Sequence, residues 1–355
     1  MAFYVKCKPP FRGLGGRGAL GQEGKKLSLH CGWFFLTNCM IRNFIFHRVT
    51  PFVQDNSLQM DVLLFEKCIQ FISSRYRVMC LEDIWQEGTP RKGGKPLASL
   101  TFDDGYADNI EYAAPILDRY NCKASFYVVT KCVEENIPVW NHLLECLFLN
   151  TRVPSIHFDA DTVPESLRLS ALPANPAQRM SYFKRLKAWM KKIPVTKKDI
   201  VLASLCQQMN DVEVPMEMMN WKDLSSLNIA GHYIGSHTHT HDALTLIEDE
   251  AVLKEELALP RQLIRDNLGY VPISIAYPFG FYNERVKKLS AETGYGIGIA
   301  SDKHQLYFKH RHNNFEIPRI ALCNESWFKT KLRITNRIEQ IKSIVPDRLI
   351  YRKSP

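Results

Sequence analysis

The chain has 355 residues, of which 45% are hydrophobic and 23% are charged, a balance that fits a globular protein and excludes a disordered, fibrous or membrane-embedded class. Its net charge is +9, but six basic residues and one acid lie within the first 30 residues, so the remainder is only mildly basic. Because no nucleic-acid-binding motif accompanies this charge, we expect no nucleic acid partner, whereas contact with an anionic glycan or a membrane surface stays open.

Residues 1–40 form a basic, glycine-rich lead-in without hydrophobic periodicity, which we expect to be poorly ordered. The apolar stretch at residues 32–46 is interrupted by Asn38, Arg42 and Asn43, and it is too short and too polar to span a bilayer. The ten cysteines include no CxxC pair, which argues against a zinc ribbon, and their scattered placement suggests a reducing compartment. We therefore predict a cytoplasmic protein, with membrane association as the minority alternative.

An alternation of strands and helices begins near residue 42. The first predicted elements are a strand at residues 43–49, a helix at 63–72, a strand at 77–81, a strand at Leu97–Phe102, a helix around 113–120 and a strand at 124–130. The last three form a strand–helix–strand unit, which predicts a parallel sheet.

Residues 141–220 are richer in Lys, Met and Leu, carry several prolines and contain no β-rich segment, so they predict a mainly helical insertion. The alternation then resumes with a helix at residues 249–268, which Gly269 should end and Pro260 should kink. Further elements are predicted as strands at 229–235, 273–277, 295–300 and 315–322 and a helix at 283–293. We assign residues 41–330 to one domain that contains the insertion, and residues 331–355 to a C-terminal tail.

Two adjacent acids, Asp103 and Asp104, directly follow the apolar strand and precede Gly105. The carboxyl ends of parallel strands are where α/β folds keep their sites. Successive side chains on a strand point to opposite sides, so the two acids should have different tasks. A helix cap followed by a turn is an equally good interpretation of these residues alone.

Three histidines, His237, His239 and His241, follow the strand predicted at residues 229–235. On one helical turn, the spacing of His237 and His241 puts both rings on the same face, ready to share one cation, and His239 should point elsewhere. A lone histidine is usually a packed or surface residue, but this cluster favours a metal site. Two imidazoles and a carboxylate suit Zn²⁺ or a similar divalent ion with one position open for water, and a second carboxylate could take a proton from that water.

These motifs resemble the polysaccharide deacetylase family, the NodB-homology domain of carbohydrate esterase type. TFDDG at residues 101–105 is similar to the family's first motif, and the run from His237 to His241 is similar to its second. YPFG at residues 277–280 resembles the third, FHRV at 46–49 an early strand, and IPRI at 317–320 a late segment. The matches run in the family's order over about residues 42–325.

The resemblance implies an α/β fold, a distorted (β/α) barrel with fewer than eight regular strands. It implies Asp104, His237 and His241 as ligands of a divalent metal, most simply Zn²⁺, and Asp103 as catalytic base. It also implies that the substrate is an acetylated carbohydrate. In the third motif, Tyr277, Pro278 and Phe279 are candidate substrate-binding residues, although such aromatic side chains could instead pack in the core.

The chain departs from the family pattern at two points. Ala276 stands where the third motif has an arginine, and a late Leu-x-His-Asp run that supplies the general acid is absent from the sequence. We take His47 as the first candidate for the proton donor and Arg319 as a replacement for the missing arginine. A hydrogen-bonded core histidine and a surface ion pair are equally good interpretations of these two residues.

Within the insertion, residues 181–193 form a basic amphipathic stretch that could contact a membrane surface or a lipid-linked glycan. Packing of its apolar side on the barrel, with the lysines solvated, is the more ordinary interpretation. We expect the insertion to cover one side of the site and to govern substrate choice rather than chemistry.

The sequence therefore predicts a metal-dependent hydrolase that removes an acetyl group from an N-acetylated sugar or polysaccharide. Two alternatives are an amidohydrolase of the same site type acting on a non-sugar amide and a catalytically silent glycan-binding barrel. The intact acids and histidines argue against the silent barrel, and the sequence leaves the oligomeric state open.

Overall fold

The structure is a computed structural model that describes residues 41–53, 59–87, 94–159, 161–169, 171–214, 218–301, 314–335 and 337. The predicted lead-in, residues 1–40, lies outside the described residues, as do residues 338–355 of the predicted tail.

Ten strands are present in this part of the chain. They are β1 Arg42–Phe46, β2 Arg48–Thr50, β3 Gln59–Asp61, β4 Arg77–Val78, β5 Leu97–Phe102, β6 Ser125–Val128, β7 Tyr233–Ser236, β8 Ser274–Ala276, β9 Ile297–Ile299 and β10 Ile320–Ala321. Eight of them form one parallel sheet in the order β10-β1-β5-β6-β7-β8-β9, with β4 beside the start of β5, while β2 and β3 pair separately.

The sheet curls until its two ends meet. Ile317 pairs with Ile299 of β9, and three residues later Ile320 pairs with Phe44 of β1. The same short segment therefore connects both edges and closes the sheet into a distorted barrel. This confirms the predicted fold class, and the two-residue strands β4 and β10 account for its irregularity.

The helices surround this sheet or lie in the insertion. They are α1 Val62–Arg75, α2 Leu81–Glu87, α3 Ala114–Arg119, α4 Thr130–Glu135, α5 Trp140–Asn150, α6 Pro176–Met190, α7 Val195–Gln208, α8 Trp221–Ile229, α9 Glu250–Leu268, α10 Glu284–Glu292 and α11 Trp327–Ile334. Five residues of π-helix, Asn109–Ala113, lead into α3.

Local chemistry sets the ends of the longest helix, α9. Asp249 caps its first turn by accepting hydrogen bonds from the amides of Ala251 and Val252, and Gly269 ends it in a left-handed conformation, with φ of 79°. The helix continues through Pro260. The sequence therefore predicted both ends to within one residue.

The core between the sheet and the outer helices is aromatic. Phe102 of β5 stacks on Phe46 at 5.3 Å and on Phe126 at 4.8 Å between ring centroids, and Phe65 of α1 packs edge-on against Phe46 at 5.1 Å. All six residues of β5 are buried because this central strand is covered on both faces. The strand therefore holds the acids that follow it in a fixed position.

The insertion has its own apolar core. In α5–α7, Phe148, Tyr182, Phe183, Leu186 and Leu205 are buried against one another. The apolar side of α6 thus packs against α5 and α7 rather than on the barrel, and Lys187 and Lys191 are half-buried rather than solvated, so the more ordinary interpretation of the basic stretch is wrong in both details. No strand lies between residues 141 and 214 in the described chain.

Several element boundaries differ from the prediction. The strand predicted at residues 43–49 is broken at His47 into β1 and β2, and residues 77–81 contain only two strand residues before α2 begins. Helix α11 extends past residue 330 and buries Ile334, so the described fold reaches into the predicted tail. Among the described helices, none combines the length and apolar character needed to cross a membrane.

Candidate active site

The motifs predicted from the sequence meet at the carboxyl edge of the parallel sheet. Asp103 and Asp104 follow β5, His237 and His241 follow β7, and Phe279 follows β8. Since neighbouring parallel strands end at the same edge, residues far apart in the chain are brought into one cluster. Both acids and both histidines are buried, with at most 3% of each residue exposed.

The two acids face the same cluster rather than opposite sides of the strand. β5 ends at Phe102, and Asp104 then adopts a left-handed conformation, with φ of 76°, followed by Gly105 at 89°. Such a conformation costs a non-glycine residue about 1–3 kcal/mol and is found mostly at functional sites. As a result, Asp103 Oδ2 and Asp104 Oδ1 lie 3.7 and 3.4 Å from His237 Nε2.

Asp104, His237 and His241 form the tightest group. One ligand atom from each lies within 4.8 Å of the others. Asp104 Oδ1 is 3.2 Å from His241 Nε2, and the two imidazole centroids are 4.8 Å apart.

The histidines do not share a helix face, so that part of the prediction is wrong. Residues 237–242 form an irregular loop in which Thr238 and His241 have φ of 68° and 62°. The buried Glu256 of α9 accepts hydrogen bonds from the amides of His239 and Thr240, both at 3.1 Å, and Thr238 Oγ1 accepts one from the amide of His241. Fixed loop bonds therefore bring the two rings together where we had expected helical spacing to do so.

His237 has a defined tautomer. Its Nδ1 lies 2.8 Å from the carbonyl oxygen of Ala276, and a carbonyl can only accept, so Nδ1 carries the proton. In the neutral ring, Nε2 then presents a lone pair toward Asp104. His239 points away, with Nδ1 3.0 Å from Thr130 Oγ1, as predicted from its place between the other two.

This arrangement fits a divalent cation. Asp104 Oδ1 is buried and has no hydrogen bond to any described residue, although two imidazole nitrogens face it. Lone pairs of an oxygen and two nitrogens facing one another repel unless a positive charge lies between them. Two imidazole nitrogens and one carboxylate oxygen are a donor set that zinc accepts while keeping a position open. These three residues could therefore hold the ion.

The electrostatics of the cluster point the same way. Burial by itself lowers the pKa of His237, but the negative charges of Asp103 and Asp104 outweigh it and raise that pKa. Burial raises the pKa of Asp104, but the two histidines outweigh burial and hold it well below its usual range. The acids thus attract positive charge to this position.

Asp103 has a different partner, Arg319. The guanidinium Nη1 and Nη2 donate to Asp103 Oδ1 and Oδ2 at 2.6 and 2.7 Å, and the Arg319 side chain is fully buried. Burial raises the pKa of Asp103, but Arg319, followed by His237, reverses the effect and lowers it. Arg319 therefore orients the Asp103 carboxylate and favours its charged form.

His47 lies at the break between β1 and β2, near the acids. Burial lowers the pKa of its ring, and the charges of Asp104 and Asp103 partly oppose this. The backbone carbonyl of His47 accepts a hydrogen bond from Asn109 Nδ2 at 2.8 Å, which holds the break in place.

Fewer residues of the third motif are accessible to a ligand than predicted. Tyr277 is fully buried and stacks on Tyr282 at 5.5 Å, and Pro278 is buried too. A buried ring cannot stack on a sugar, so of the three candidate substrate-binding residues only Phe279, which is half-buried, can contact a ligand. Its ring lies 4.7 Å from that of His241.

The helices of the insertion, which begin with α5 at Trp140 rather than at residue 141, contact the loop at residues 237–242 directly, and the sequence did not predict these contacts. Trp140 Nε1, at the start of α5, donates to the carbonyl of His241 at 3.2 Å. Lys198 of α7 is buried and donates to Asp242 Oδ1 at 2.6 Å. Neighbouring residues in a helix do not show which distant group a lysine or a tryptophan will bind, so the sequence could not predict these partners.

Comparison with known proteins agrees with these features. The sequence model of the polysaccharide deacetylase family matches residues 91–298, more than half of the chain. A 66-residue stretch, 19% of the chain, is 35% identical to chitin deacetylase 1 of Cryptococcus neoformans and spans 14% of that protein's length.

Solved structures show the same fold at low identity. The Streptococcus pyogenes deacetylase PplD in complex with acetate has a TM-score of 0.56 and 16% identity, over 84% of this chain and 99% of that one. A polysaccharide deacetylase from Bacillus cereus gives 0.53 and 15%, over 83% and 69%. A de-N-acetylase from Aggregatibacter actinomycetemcomitans gives 0.52 and 15%, over 83% and 99%.

Proposed function

Because the chain belongs to the polysaccharide deacetylase family, we propose that it is a metal-dependent hydrolase that removes the acetyl group from an N-acetylated sugar or polysaccharide. The observation that carries this proposal is the separation of the two acids. Asp104 faces two imidazoles, whereas Asp103 is held by Arg319 and stays beside the same cluster. One carboxylate can thus bind a cation while the other accepts a proton.

We assign Asp104, His237 and His241 as the residues that would hold the ion, with Zn²⁺ the ion this donor set favours. When bound, a divalent ion would polarise the acetyl carbonyl and make a neighbouring water more acidic.

We assign to Asp103 the task of general base toward the attacking water. Arg319 keeps that carboxylate ionised and in one orientation, and an ionised carboxylate can accept the proton. The proposed base is therefore held in place by a buried arginine.

Departure of the sugar amine requires a proton on nitrogen, and we assign its delivery to His47. Its lowered pKa favours the neutral ring, so His47 would take up the proton that Asp103 removes from the attacking water and then give it to the departing nitrogen. Phe279 is the half-buried aromatic surface beside the cluster on which a sugar ring could rest.

Acetate release tests the proposal. The purified protein would be incubated with N-acetylated oligosaccharides, an O-acetylated xylan and a simple acetanilide, each with and without a chelator. Release from an N-acetylated sugar that the chelator abolishes and zinc restores is expected. Release from acetanilide alone would indicate the non-sugar amidohydrolase, and no release with retained glycan binding would indicate the silent barrel.

A further inference from the structure

The insertion places a cation beside the proposed site. Lys191 directly follows helix α6, and its Nζ lies 3.9 Å from the ring centroid of Phe279. That ring in turn lies 4.7 Å from the ring of His241. One aromatic side chain therefore separates the ammonium from the residues that would hold the metal.

Lys191 differs from the other insertion lysine at this wall, Lys198. The Lys198 ammonium has two carboxylates, those of Asp242 at 2.6 Å and Asp199 at 2.8 Å. Across the described residues, by contrast, no carboxylate lies within ion-pair distance of Lys191. Its ammonium instead lies over the face of the Phe279 ring. An aromatic face compensates a cation only in part.

A second lysine adds to the positive charge. Lys187 lies one turn earlier on α6, half-buried, with its Nζ 4.5 Å from the ring centroid of Phe183. Burial first, and then repulsion from Lys187, lower the pKa of Lys191 to about 8, while the charge of Asp104 acts in the opposite sense. A half-buried cation is costly unless an anion compensates it. Because the carboxylate of Glu145 partly offsets burial at Lys187, Lys191 is the cation that calls for an added anion.

We propose that Lys191 is the anion-binding subsite of this enzyme, and that its substrate is an N-acetylated glycan carrying a negatively charged group close to the acetylated sugar. This rests on the proposed function, since it adds a charge requirement to the same substrate. A sugar carboxylate and a phosphate ester offer the same oxygen acceptors to an ammonium, and either would sit beside Phe279 when the acetyl group lies at the ligand cluster.

The test compares three probes: a tetrasaccharide of alternating N-acetylglucosamine and glucuronic acid, N-acetylglucosamine 1-phosphate, and neutral chitotetraose. Acetate release and calorimetric binding would be measured for the wild type, Lys191→Met and Lys192→Met. Lys192 is the exposed neighbour of Lys191, so its substitution removes the same charge from outside the subsite.

For the wild type we expect kcat/KM to favour a charged probe over chitotetraose. In Lys191→Met that ratio should fall about tenfold, mainly through KM, because one charge-assisted hydrogen bond is lost. Lys192→Met should keep the ratio. A preference for the carboxylate probe or for the phosphate probe identifies the source of the charge.

An unchanged ratio in Lys191→Met, or an equal fall in Lys192→Met, overturns the subsite. If no probe releases acetate, the proposed function fails, but calorimetry still decides the subsite. Binding of a charged probe that weakens tenfold in Lys191→Met supports it, and equal binding by the wild type and Lys191→Met refutes it.

Discussion

Arg319 holds both carboxylate oxygens of Asp103, at 2.6 and 2.7 Å, across 216 residues of sequence. Both side chains are buried, and Arg319 Nε also donates to the carbonyl of Ala300 at 3.2 Å. A planar guanidinium bound at two points fixes the plane of the carboxylate as well as its charge. The proposed base is thus oriented by a residue from the segment that closes the barrel.

Removing this arginine should be costly. Arg319→Met leaves the Asp103 charge buried without its partner, which is expected to lower the free energy of unfolding by about 3–5 kcal/mol. Arg77→Met is the matched control, because Arg77 and Glu87 form an exposed pair and should contribute at most about 1 kcal/mol. Urea unfolding of both variants gives the comparison, and equal losses would contradict the role assigned to Arg319.

The contacts of Trp140 and Lys198 imply that the insertion positions the loop at residues 237–242, which carries two of the proposed metal ligands. This differs from our expectation that the insertion would govern substrate choice rather than chemistry. Trp140→Phe removes the donor to the His241 carbonyl, and Lys198→Met removes the ion-pair partner of Asp242. We expect each to weaken metal affinity by about 10–100-fold, the usual effect of losing a bond that orients a ligand.

Chelator competition would give these affinities, and the visible spectrum of the cobalt-loaded protein would report the ligand geometry. Lys197→Met is the control, because Lys197 lies on the same helix but bonds the Asp161 carbonyl within the insertion. Wild-type affinity and spectrum in Trp140→Phe and Lys198→Met would show that the insertion does not position His241.

His47 should affect turnover without affecting metal content. His47→Gln keeps a polar side chain but cannot carry a proton, so kcat should fall by about 10²–10⁴-fold, the usual contribution of a general acid. His157→Gln, in an exposed part of the insertion, should leave kcat unchanged. A loss in kcat of less than tenfold in His47→Gln would show that another group donates the proton.

The packing of Tyr277 predicts that alanine destabilises the protein at Gly298 but is tolerated at Gly296. A Cβ added at Gly298 would come within 2.6 Å of Tyr277 Cζ, and this fully buried ring has no room to move. Gly298→Ala should therefore cost about 1–3 kcal/mol. At Gly296 the nearest atom is the Ile273 carbonyl oxygen at 3.8 Å, so Gly296→Ala should be nearly neutral. Equal thermal shifts in the two variants would contradict the packing described.

The sequence alone predicted those elements that depend on a few adjacent residues. The apolar run Leu97–Phe102 became β5 without change, and Gly269 ended α9. A buried central strand and a left-handed cap each depend on a few adjacent residues. The sequence also identified the residues that the sheet brings together, because each follows a strand.

Bonds between distant segments could not be predicted in the same way. Arg319 was a candidate because of a gap in the resemblance, but its two-point contact with Asp103 depends on how the barrel closes. The contact of Trp140 with His241 depends on where the insertion docks, and no periodicity encodes that. The left-handed turn at Asp104 likewise aims both acids at one cluster, against the alternation of a regular strand.

Metal content measured beside acetate release decides whether the two adjacent acids have separate tasks. Asp104→Ala, His237→Ala and His241→Ala should lose the metal and the activity together, while His239→Ala should keep both. Asp103→Asn should keep a full equivalent of metal and lose about 10²–10⁴-fold in rate. A metal-free Asp103→Asn with metal retained in Asp104→Ala would reverse the two roles, and unchanged metal content in all five variants would contradict the existence of the site.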